Sequence, residues 1–436
     1  MTEVISRERS RNYLRQIKGS IVYKAVAMAA SFFAFPLMIS YLGQEQFGVW
    51  STLLTVMSWI VFFDLGVGNG LRNKVAESLA KNERNEAVRY ISSGYTFIAL
   101  LAIAIWAFVT LAAFIVPWQA VFNTQTISEP TLRATVQIAA FFIVLNFWVG
   151  LIGALLGAIQ KTSLIALGQL ISNLVVLTLV FVLTKTTDAS ISQLALVYGV
   201  SLVSANILFS FGFYKRYPEL RPKLELDRKH VRPLLAVGLQ FFIIQLAVLV
   251  IFTTDKMLIT QFLGPQYVTQ YDVVFKLFSV ISFAHGLVLA PLWSAYTDAY
   301  HRGDFMWIRH MLYKQLMVFG LIVLAVVTLI LIAKPIILLW IGAEFVVSLP
   351  LIIVMGLFVL ISTWSNIYAI LINGIGKIRL QLCTAVVSML INIPLSWVFS
   401  QYFGFRLIGI VMGTICSLIL GAVVLPIQVH FLIRKK

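Results

Sequence analysis

Residues 315–333 read QLMVFGLIVLAVVTLILIA, a stretch of 19 residues without a charged side chain. Because a helix of about 20 residues crosses the hydrocarbon core of a bilayer, this stretch is long enough to span a membrane. Eleven further stretches of similar character occur, at residues 21–42, 47–69, 91–115, 133–157, 163–184, 192–214, 234–262, 270–297, 349–372, 380–400 and 407–431. The sequence therefore predicts an all-α integral membrane protein with about twelve transmembrane helices.

The composition excludes an ordinary soluble domain, since 60% of the residues are hydrophobic and only 11% are charged. The longest polar stretches, residues 71–90 and 215–232, are too short to form a folded domain. The net charge of +16 is better explained by loops that face an anionic inner leaflet than by nucleic-acid binding. Cys383 and Cys416 both lie inside predicted helices, and they indicate neither a disulfide framework nor a metal-ligand cluster.

The positive charges are distributed unequally between the two sets of loops. If the N-terminus is cytoplasmic, 26 of the 33 Lys and Arg residues fall on the cytoplasmic side and only four on the opposite side. The remaining three, Lys24, Lys256 and Lys276, lie inside predicted spans. This asymmetry predicts a multi-pass protein with both termini in the cytoplasm.

A basic segment at the middle of the chain divides the spans into two groups of six. Residues 215–232 contain seven Lys and Arg residues, a composition typical of a linker. We therefore predict an N-terminal six-helix lobe over residues 1–214 and a C-terminal six-helix lobe over residues 233–436.

Two short sequences recur in the same order in both lobes. YLG at 41–43 is matched by FLG at 262–264, and GAIQK at 157–161 is matched by NGIGK at 373–377. The offsets, 221 and 216 residues measured from Leu and Lys respectively, are nearly equal. An even number of spans per half makes the halves parallel, and such a repeat predicts a central cavity with a substrate site near the midplane.

The order of these elements is similar to that of a known transporter family. The residues that carry the likeness are Tyr41-Leu42-Gly43-x-Glu45-x-Phe47-Gly48, Asp64-Leu65-Gly66-x-Gly68-Asn69-Gly70-Leu71-Arg72-Asn73, Asp255-Lys256, Tyr271 and Lys276-Leu277. Together with the length and the short basic C-terminus, they resemble the O-antigen (Wzx-type) flippases. These flippases form part of the polysaccharide transporter branch of the multidrug/oligosaccharidyl-lipid/polysaccharide exporter superfamily.

The resemblance implies a function in the bacterial inner membrane. Flippases of this kind move polyprenyl-diphosphate-linked oligosaccharide, such as an O-antigen repeat unit, from the cytoplasmic to the periplasmic leaflet by alternating access. The superfamily implies coupling to protons or another ion. Membrane lipids are expected partners, and a polysaccharide polymerase and chain-length proteins are further candidates.

No motif of an enzyme accompanies these spans. The sequence contains no phosphate-cradling glycine-rich loop with Lys-Ser/Thr, no HExxH and no CxxC. We therefore expect no catalytic residue, no metal site and no cofactor. Transport would draw on an ion gradient, on substrate mass action, or on both.

The charges within spans are the main candidates for substrate binding, because an ionisable group at the centre of a span costs about 2.5–3.5 kcal/mol on the insertion scale. Lys24, Lys256 and Lys276 suit an anionic diphosphate. Lys24 could instead snorkel to the cytoplasmic interface. Asp272 and Lys276 lie four residues apart, so an ion pair on one helical turn is an equally good interpretation.

Two further residues are candidates for contact with the substrate. Arg72 follows a glycine-rich helix end at the cytoplasmic mouth, where its planar fork could bind phosphate; positive charge in an ordinary cytoplasmic loop is the alternative. Trp364, in the middle of its span, could stack on a sugar face. Most of the other tryptophans are better explained as interface anchors.

Four residues are candidates for ion coupling or conformational change. Asp64 and Asp298 lie near the inner ends of their spans, and Asp64 could instead cap a helix or pair with Arg72. Asp255 is adjacent to Lys256, so the two side chains should point in different directions. His285 titrates near neutral pH, although a buried, hydrogen-bonded histidine is the more ordinary interpretation.

Two other classes of protein share this hydropathy. A multidrug exporter of the same architecture would be expected to carry an acidic residue in span one, where this chain has Lys24. A membrane-embedded polymerase or glycosyltransferase usually has a sizeable exposed loop with charged catalytic residues, whereas the outer loops here are short and almost uncharged. Both alternatives are weaker than the flippase interpretation.

Overall fold

A computed structural model describes residues 2–61, 66–343 and 345–434, without the side chains of residues 2–17, 61, 236–252, 294 and 434. The described residues form helices and no strand, which confirms the all-α prediction. The α-helices are α1 Thr2–Val61, α2 Val67–Ala80, α3 Arg84–Ile115, α4 Trp118–Val121, α5 Glu129–Val149, α6 Leu151–Ala158, α7 Thr162–Thr186, α8 Ile191–Arg216, α9 Arg228–Leu263, α10 Pro265–Leu289, α11 Leu292–His301, α12 Phe305–Ile341, α13 Leu349–Ile375, α14 Arg379–Trp397 and α15 Arg406–Arg434.

Ten segments of the described residues are long and apolar enough to cross a membrane. The first of them, Lys18–Ile60, has 43 residues and contains the predicted first span and most of the second. Helix α9 corresponds to the predicted seventh span. The multi-spanning prediction is thus confirmed, with two differences in detail: α12 extends well beyond residues 315–333, and the predicted span at 270–297 is divided near Pro291.

The polar stretch at residues 71–90 is helical, although hydropathy predicted a loop there. It consists of most of α2 and the start of α3. On α2, Glu77 accepts from Lys81 at 2.8 Å and from Lys74 at 2.9 Å, which are neighbours on adjacent turns. Hydrogen bonds from Lys81 and then Lys74 lower the pKa of Glu77 to about 2. Charge excludes this stretch from the membrane, but it does not prevent helix formation.

The chain separates into two compact units, Met1–Gln245 and Leu246–Lys436, and the division falls within α9. In the first unit, α1 packs along α7, α5 packs against α3 and α8, and α2 packs against α3 and α6. In the second unit, α15 packs against α13 and α14, while α13 also contacts α10, α11 and α12.

The repeated YLG and FLG sequences share an unusual backbone conformation. Gly43 has φ 74° and ψ 172°, and Gly264 has φ 109° and ψ 157°. Residues other than glycine are almost never found in this region of φ and ψ, because the strained backbone costs about 1–3 kcal/mol. The GAIQK and NGIGK sequences of the second repeat also share a backbone conformation. Gln160 (φ 60°) and Gly376 (φ 77°) occupy the same position in this repeat, and both have positive φ. The two sequence repeats therefore correspond to two repeated breaks between helices.

The basic segment between α8 and α9 is bound along α3. Its backbone N–H groups at Lys223 and Asp227 donate to the hydroxyls of Ser92 at 2.9 Å and Ser93 at 3.3 Å. Leu220 is also buried, at 3% exposure. The segment predicted to be a linker is thus an ordered part of the first unit.

A histidine continues this attachment at the start of α9. His230 is buried, its Nδ1 lies 2.8 Å from Asp227 Oδ2, and its Nε2 lies 2.9 Å from Glu86 Oε2 on α3. The ring of Tyr90 packs edge-on against the imidazole. The first turn of α9 is therefore held to α3 by two carboxylates through one side chain.

Candidate functional site

A buried polar cluster lies within the second unit, and we call it the Asp255 cluster. Its side chains come from α9, α10, α14 and α15, and each is at most 4% exposed. Buried polar groups in proteins are almost always hydrogen-bonded. A cluster of six such side chains within apolar helices is therefore expected to form a connected hydrogen-bond network. Its members are Thr254, Asp255, Tyr271, Asn392, Thr414 and Ser417.

The carboxylate of Asp255 is bound by neutral hydroxyl groups. Thr414 donates to its Oδ1 at 2.7 Å, and Tyr271 donates to its Oδ2 at 3.4 Å. Thr414 in turn accepts from Asn392 Nδ2 at 3.1 Å, and Asn392 Oδ1 accepts from Thr254 at 3.2 Å. The network thus places oriented hydroxyl and amide groups around the buried carboxylate of Asp255.

Lys256, the residue after Asp255, faces a different partner. Its Nζ lies 2.8 Å from Asp272 Oδ1 on α10, and the side chain of Asp272 is only 5% exposed. Adjacent residues of a helix project about 100° apart, as expected from the sequence. Asp272 therefore forms an interhelical ion pair with Lys256, and Lys276 lies one turn further along α10.

Two predicted substrate residues lie in the first unit. Lys24 is exposed on α1, one turn before Ala27, whose carbonyl accepts from Asn173 of α7 at 2.8 Å. Arg72 is exposed on α2, and its side chain lies against the backbone of Gly157, where an added Cβ would stand 3.0 Å from Arg72 Cδ. Both cations are thus accessible at the surface of their helices.

Trp364 is part of the packing of the second unit. Its Nε1 donates to the carbonyl of Ala422 on α15 at 2.9 Å, and its rings contact Phe319 and Tyr368. This hydrogen bond fixes the indole to α15, and a role in sugar binding stays a prediction. Asp64, the first candidate for coupling, lies outside the described residues.

The two remaining coupling candidates lie in contrasting environments. His285 is buried at 4% exposure, and its Nε2 has no hydrogen-bond partner among the described residues. Asp298 is on the surface, where its Oδ1 accepts from Arg302 Nε at 2.9 Å and its side chain is 62% exposed. Exposed pairs of this kind stabilise proteins little, and a role of Asp298 in coupling stays a prediction.

Sequence reasoning did not single out Asn392, Thr414 or Ser417. Asn392 could have been noticed, because an amide within an apolar span usually hydrogen-bonds across helices. Thr and Ser are too common in transmembrane helices to stand out. Only the fold shows that Thr414, 159 residues away in sequence, donates to Asp255.

The residues of the YLG motif, at the break within α1 near Gly43, organise two loops of the first unit. The hydroxyl of Tyr41 lies 2.8 Å from the carbonyl of Asp188 and 2.9 Å from Thr187 Oγ1. Glu45 Oε1 accepts from Thr124 at 2.7 Å and from Thr126 at 2.9 Å. These motif residues therefore hold the α3–α5 and α7–α8 connections in place.

Curated relatives cover nearly all of the chain. It is 24% identical over 390 residues to a putative O-antigen transporter of Salmonella typhimurium, covering 87% of each protein. It is 22% identical over 409 residues to a putative O-antigen export protein of Yersinia pseudotuberculosis, covering 91% of each.

Solved structures share the fold. A multidrug resistance MATE family transporter of the MOP superfamily, in its inward-facing conformation, superposes with a TM-score of 0.77 at 16% identity, covering 96% of this chain and 99% of that one. The lipid II flippase MurJ, in an inward closed conformation, superposes with a TM-score of 0.74 at 15% identity, covering 94% and 87%. Identities this low show the fold alone.

A family model described as "Polysaccharide biosynthesis protein" matches residues 16–295. Since this match covers more than half of the chain, the protein belongs to the polysaccharide biosynthesis protein family.

Proposed function

We propose that this protein is a flippase of the bacterial inner membrane, which moves a polyprenyl-diphosphate-linked oligosaccharide from the cytoplasmic to the periplasmic leaflet. The observation that carries the proposal is the match to two O-antigen transport and export proteins over at least 87% of each protein. The fold shared with a lipid II flippase supports a lipid-linked substrate. The lobes over residues 1–214 and 233–436 are the moving parts in this proposal.

The substrate's diphosphate has to leave bulk water, so fixed positive charge must offset the loss of its hydration. Lys24, Lys256 and Lys276 are the cations that we assign to this task. Among them, Lys256 lies 2.8 Å from the carboxylate of Asp272. Arg72 would receive the phosphates first, because a guanidinium binds phosphate through two parallel N–H groups.

The Asp255 cluster is the coupling site in this proposal. A buried carboxylate held by neutral hydroxyls can take up a proton or a small cation without first breaking an ion pair. Thr414, Tyr271 and Asn392 would orient the oxygen atoms that surround the bound ion. Binding there would change how α9 and α10 pack against α14 and α15. An ion that binds one transport state more tightly than the other would thereby shift the equilibrium between the two states.

The first experiment tests the substrate cations in a host from which the gene has been deleted. Surface glycan is measured per amount of membrane-inserted protein for Lys24→Ala, Lys276→Ala and the corresponding Lys→Arg variants. At least one Ala variant should lower export by tenfold or more, and its Arg variant should restore part of it. Lys185→Ala, at the far end of α7, is the matched control.

Three outcomes would count against the flippase proposal. If the deletion strain exports normal glycan, the protein carries another substrate. If all Lys→Ala variants export at the level of the Lys185→Ala control, cationic binding of the diphosphate is wrong. Accumulation of single unpolymerised units at the surface of the deletion strain would indicate a polymerase instead.

The second experiment tests coupling. Transport of a lipid-linked oligosaccharide into the inner leaflet of proteoliposomes is followed with and without an imposed proton or sodium gradient. Asp255→Asn should remove the response to the gradient, Thr414→Val should weaken it, and the exposed Asp188→Asn should leave it intact. A full gradient response in Asp255→Asn would exclude the Asp255 cluster as the coupling site.

A further inference from the structure

A groove opens between the ends of α12 and α15 in the second unit, away from the members of the Asp255 cluster. Its volume is about 810 Å³, within the range of about 300–1,000 Å³ that holds small ligands. Leu312 and Leu316 form one wall, and Ile427 and Phe431 form the other. We call it the α12–α15 groove.

The apolar walls are open to their surroundings. Ile427 is 51% exposed and Phe431 is 59% exposed. They lie on helices that are long and apolar enough to cross a membrane, so hydrocarbon rather than water is the medium that covers them. Tyr313, which is 61% exposed on the same groove, suits the polar boundary of a bilayer.

The rim of the groove carries two hydrogen-bond donors, of which the guanidinium of Arg309 is a cation. Arg309 and His430 line it, and Arg309 Nη2 donates to the carbonyl of Ile433 at 2.8 Å. A guanidinium has five N–H groups, and this bond uses one of them.

Neither helix carries an acid to neutralise this charge. The sequences of α12 (305–341) and α15 (406–434) contain no Asp or Glu. Basic pockets between transmembrane helices on the cytoplasmic side are recognised binding sites for anionic lipid headgroups. The positive-inside distribution predicts that this end of α12 and α15 is cytoplasmic.

We propose that the α12–α15 groove binds an anionic phospholipid of the inner leaflet. Its phosphate contacts Arg309 and His430, and its acyl chains lie along Leu312, Leu316 and Ile427. Charge complementarity selects the headgroup, and the apolar walls select a ligand with hydrocarbon chains. The site is additional to transport of the glycan and does not depend on the proposed function.

The test uses the full-length protein in detergent, titrated with dioleoyl phosphatidylglycerol or dioleoyl phosphatidylcholine and observed by native mass spectrometry. Phosphatidylglycerol should bind more tightly. Arg309→Gln should weaken its binding about fivefold, a typical effect of one cationic group near an anionic lipid surface, and His430→Gln should weaken it by less. Binding of phosphatidylcholine should change little in these two variants.

Two variants separate the groove from general surface charge. Ile427→Trp fills the groove without changing charge and should weaken binding of both phospholipids. Arg379→Gln removes an exposed cation outside the groove, at the start of α14, and should leave binding unchanged. Because Arg309 also binds the end of α15, His430→Gln carries the test if Arg309→Gln lowers the thermal stability.

Three results would overturn the proposal. Equal binding of the two phospholipids by the wild type would exclude headgroup selection. Equal weakening by Arg379→Gln and Arg309→Gln would show that only the overall charge matters. If undecaprenyl phosphate binds more tightly than phosphatidylglycerol and is sensitive to the same groove variants, the groove belongs to the substrate lipid.

Discussion

Gly43 joins the two helical parts of α1, and replacing it with alanine should lower the stability of the protein by about 1–3 kcal/mol. The reason is conformational, because a Cβ at Gly43 would meet no other atom within 4 Å. Its φ of 74° and ψ of 172° lie in a region that is essentially restricted to glycine. At 1.36 kcal/mol per factor of ten, the loss corresponds to an approximately 5- to 160-fold lower ratio of folded to unfolded protein.

The measurement is reversible unfolding in mixed micelles, with membrane-inserted amount as a second readout. Gly43→Asn should be as harmful as Gly43→Ala, because Asn tolerates the left-handed helical region but not this one. Gly212→Ala is the matched control: it also has open space around it, but it lies inside α8 without a positive φ, so it should be neutral or stabilising by up to about 1 kcal/mol.

Equal stability of Gly43→Ala and Gly212→Ala would refute the conformational argument. It would mean that α1 can continue through residue 43 without a break, and that the recurrence of glycine in YLG and FLG has another explanation. Gly264→Ala is a second test in the other half of the chain, although there the added Cβ would also press on the side chain of Gln266.

Three further predictions concern the first unit and the topology. Tyr41→Phe should destabilise the protein by about 0.5–1.5 kcal/mol in the same unfolding assay, since its hydroxyl loses the carbonyl of Asp188; an unchanged unfolding midpoint would contradict this. The backbone N–H of Lys229, followed by the imidazole of His230, holds the pKa of Asp227 below its usual value, so its contribution is present above about pH 4 and is lost as pH falls. The stability difference between wild type and Asp227→Asn should therefore shrink between about pH 5 and pH 3, and a difference that is constant with pH would rule this out. Reporter fusions after Arg221 should report the cytoplasm and fusions near Asp188 the opposite side, and the reverse result would overturn the positive-inside assignment.

The transmembrane character of the chain could be read from the sequence because it depends on local composition. A run of about 20 apolar residues partitions into a bilayer whatever its neighbours are, and the ends of α7, α8 and α13 lie close to those predicted. The same reasoning failed at residues 71–90, because hydropathy detects charge and not the tendency of residues such as Glu77 and Lys81 to form a helix. The repeated glycines were also visible in sequence, since a backbone break is a local requirement.

The partners of the buried charges were decided by the tertiary structure. The sequence placed Asp272, Lys276 and Lys256 inside predicted spans. Spacing alone did not decide whether Asp272 pairs with Lys276, one turn away on the same helix, or with Lys256 on another helix. The packing of α9 against α10 brought Lys256 to Asp272, and the packing of α9 against α15 brought Thr414 to Asp255. Helix rotation and register determine such contacts, and both depend on the side chains of the whole bundle rather than on any one span.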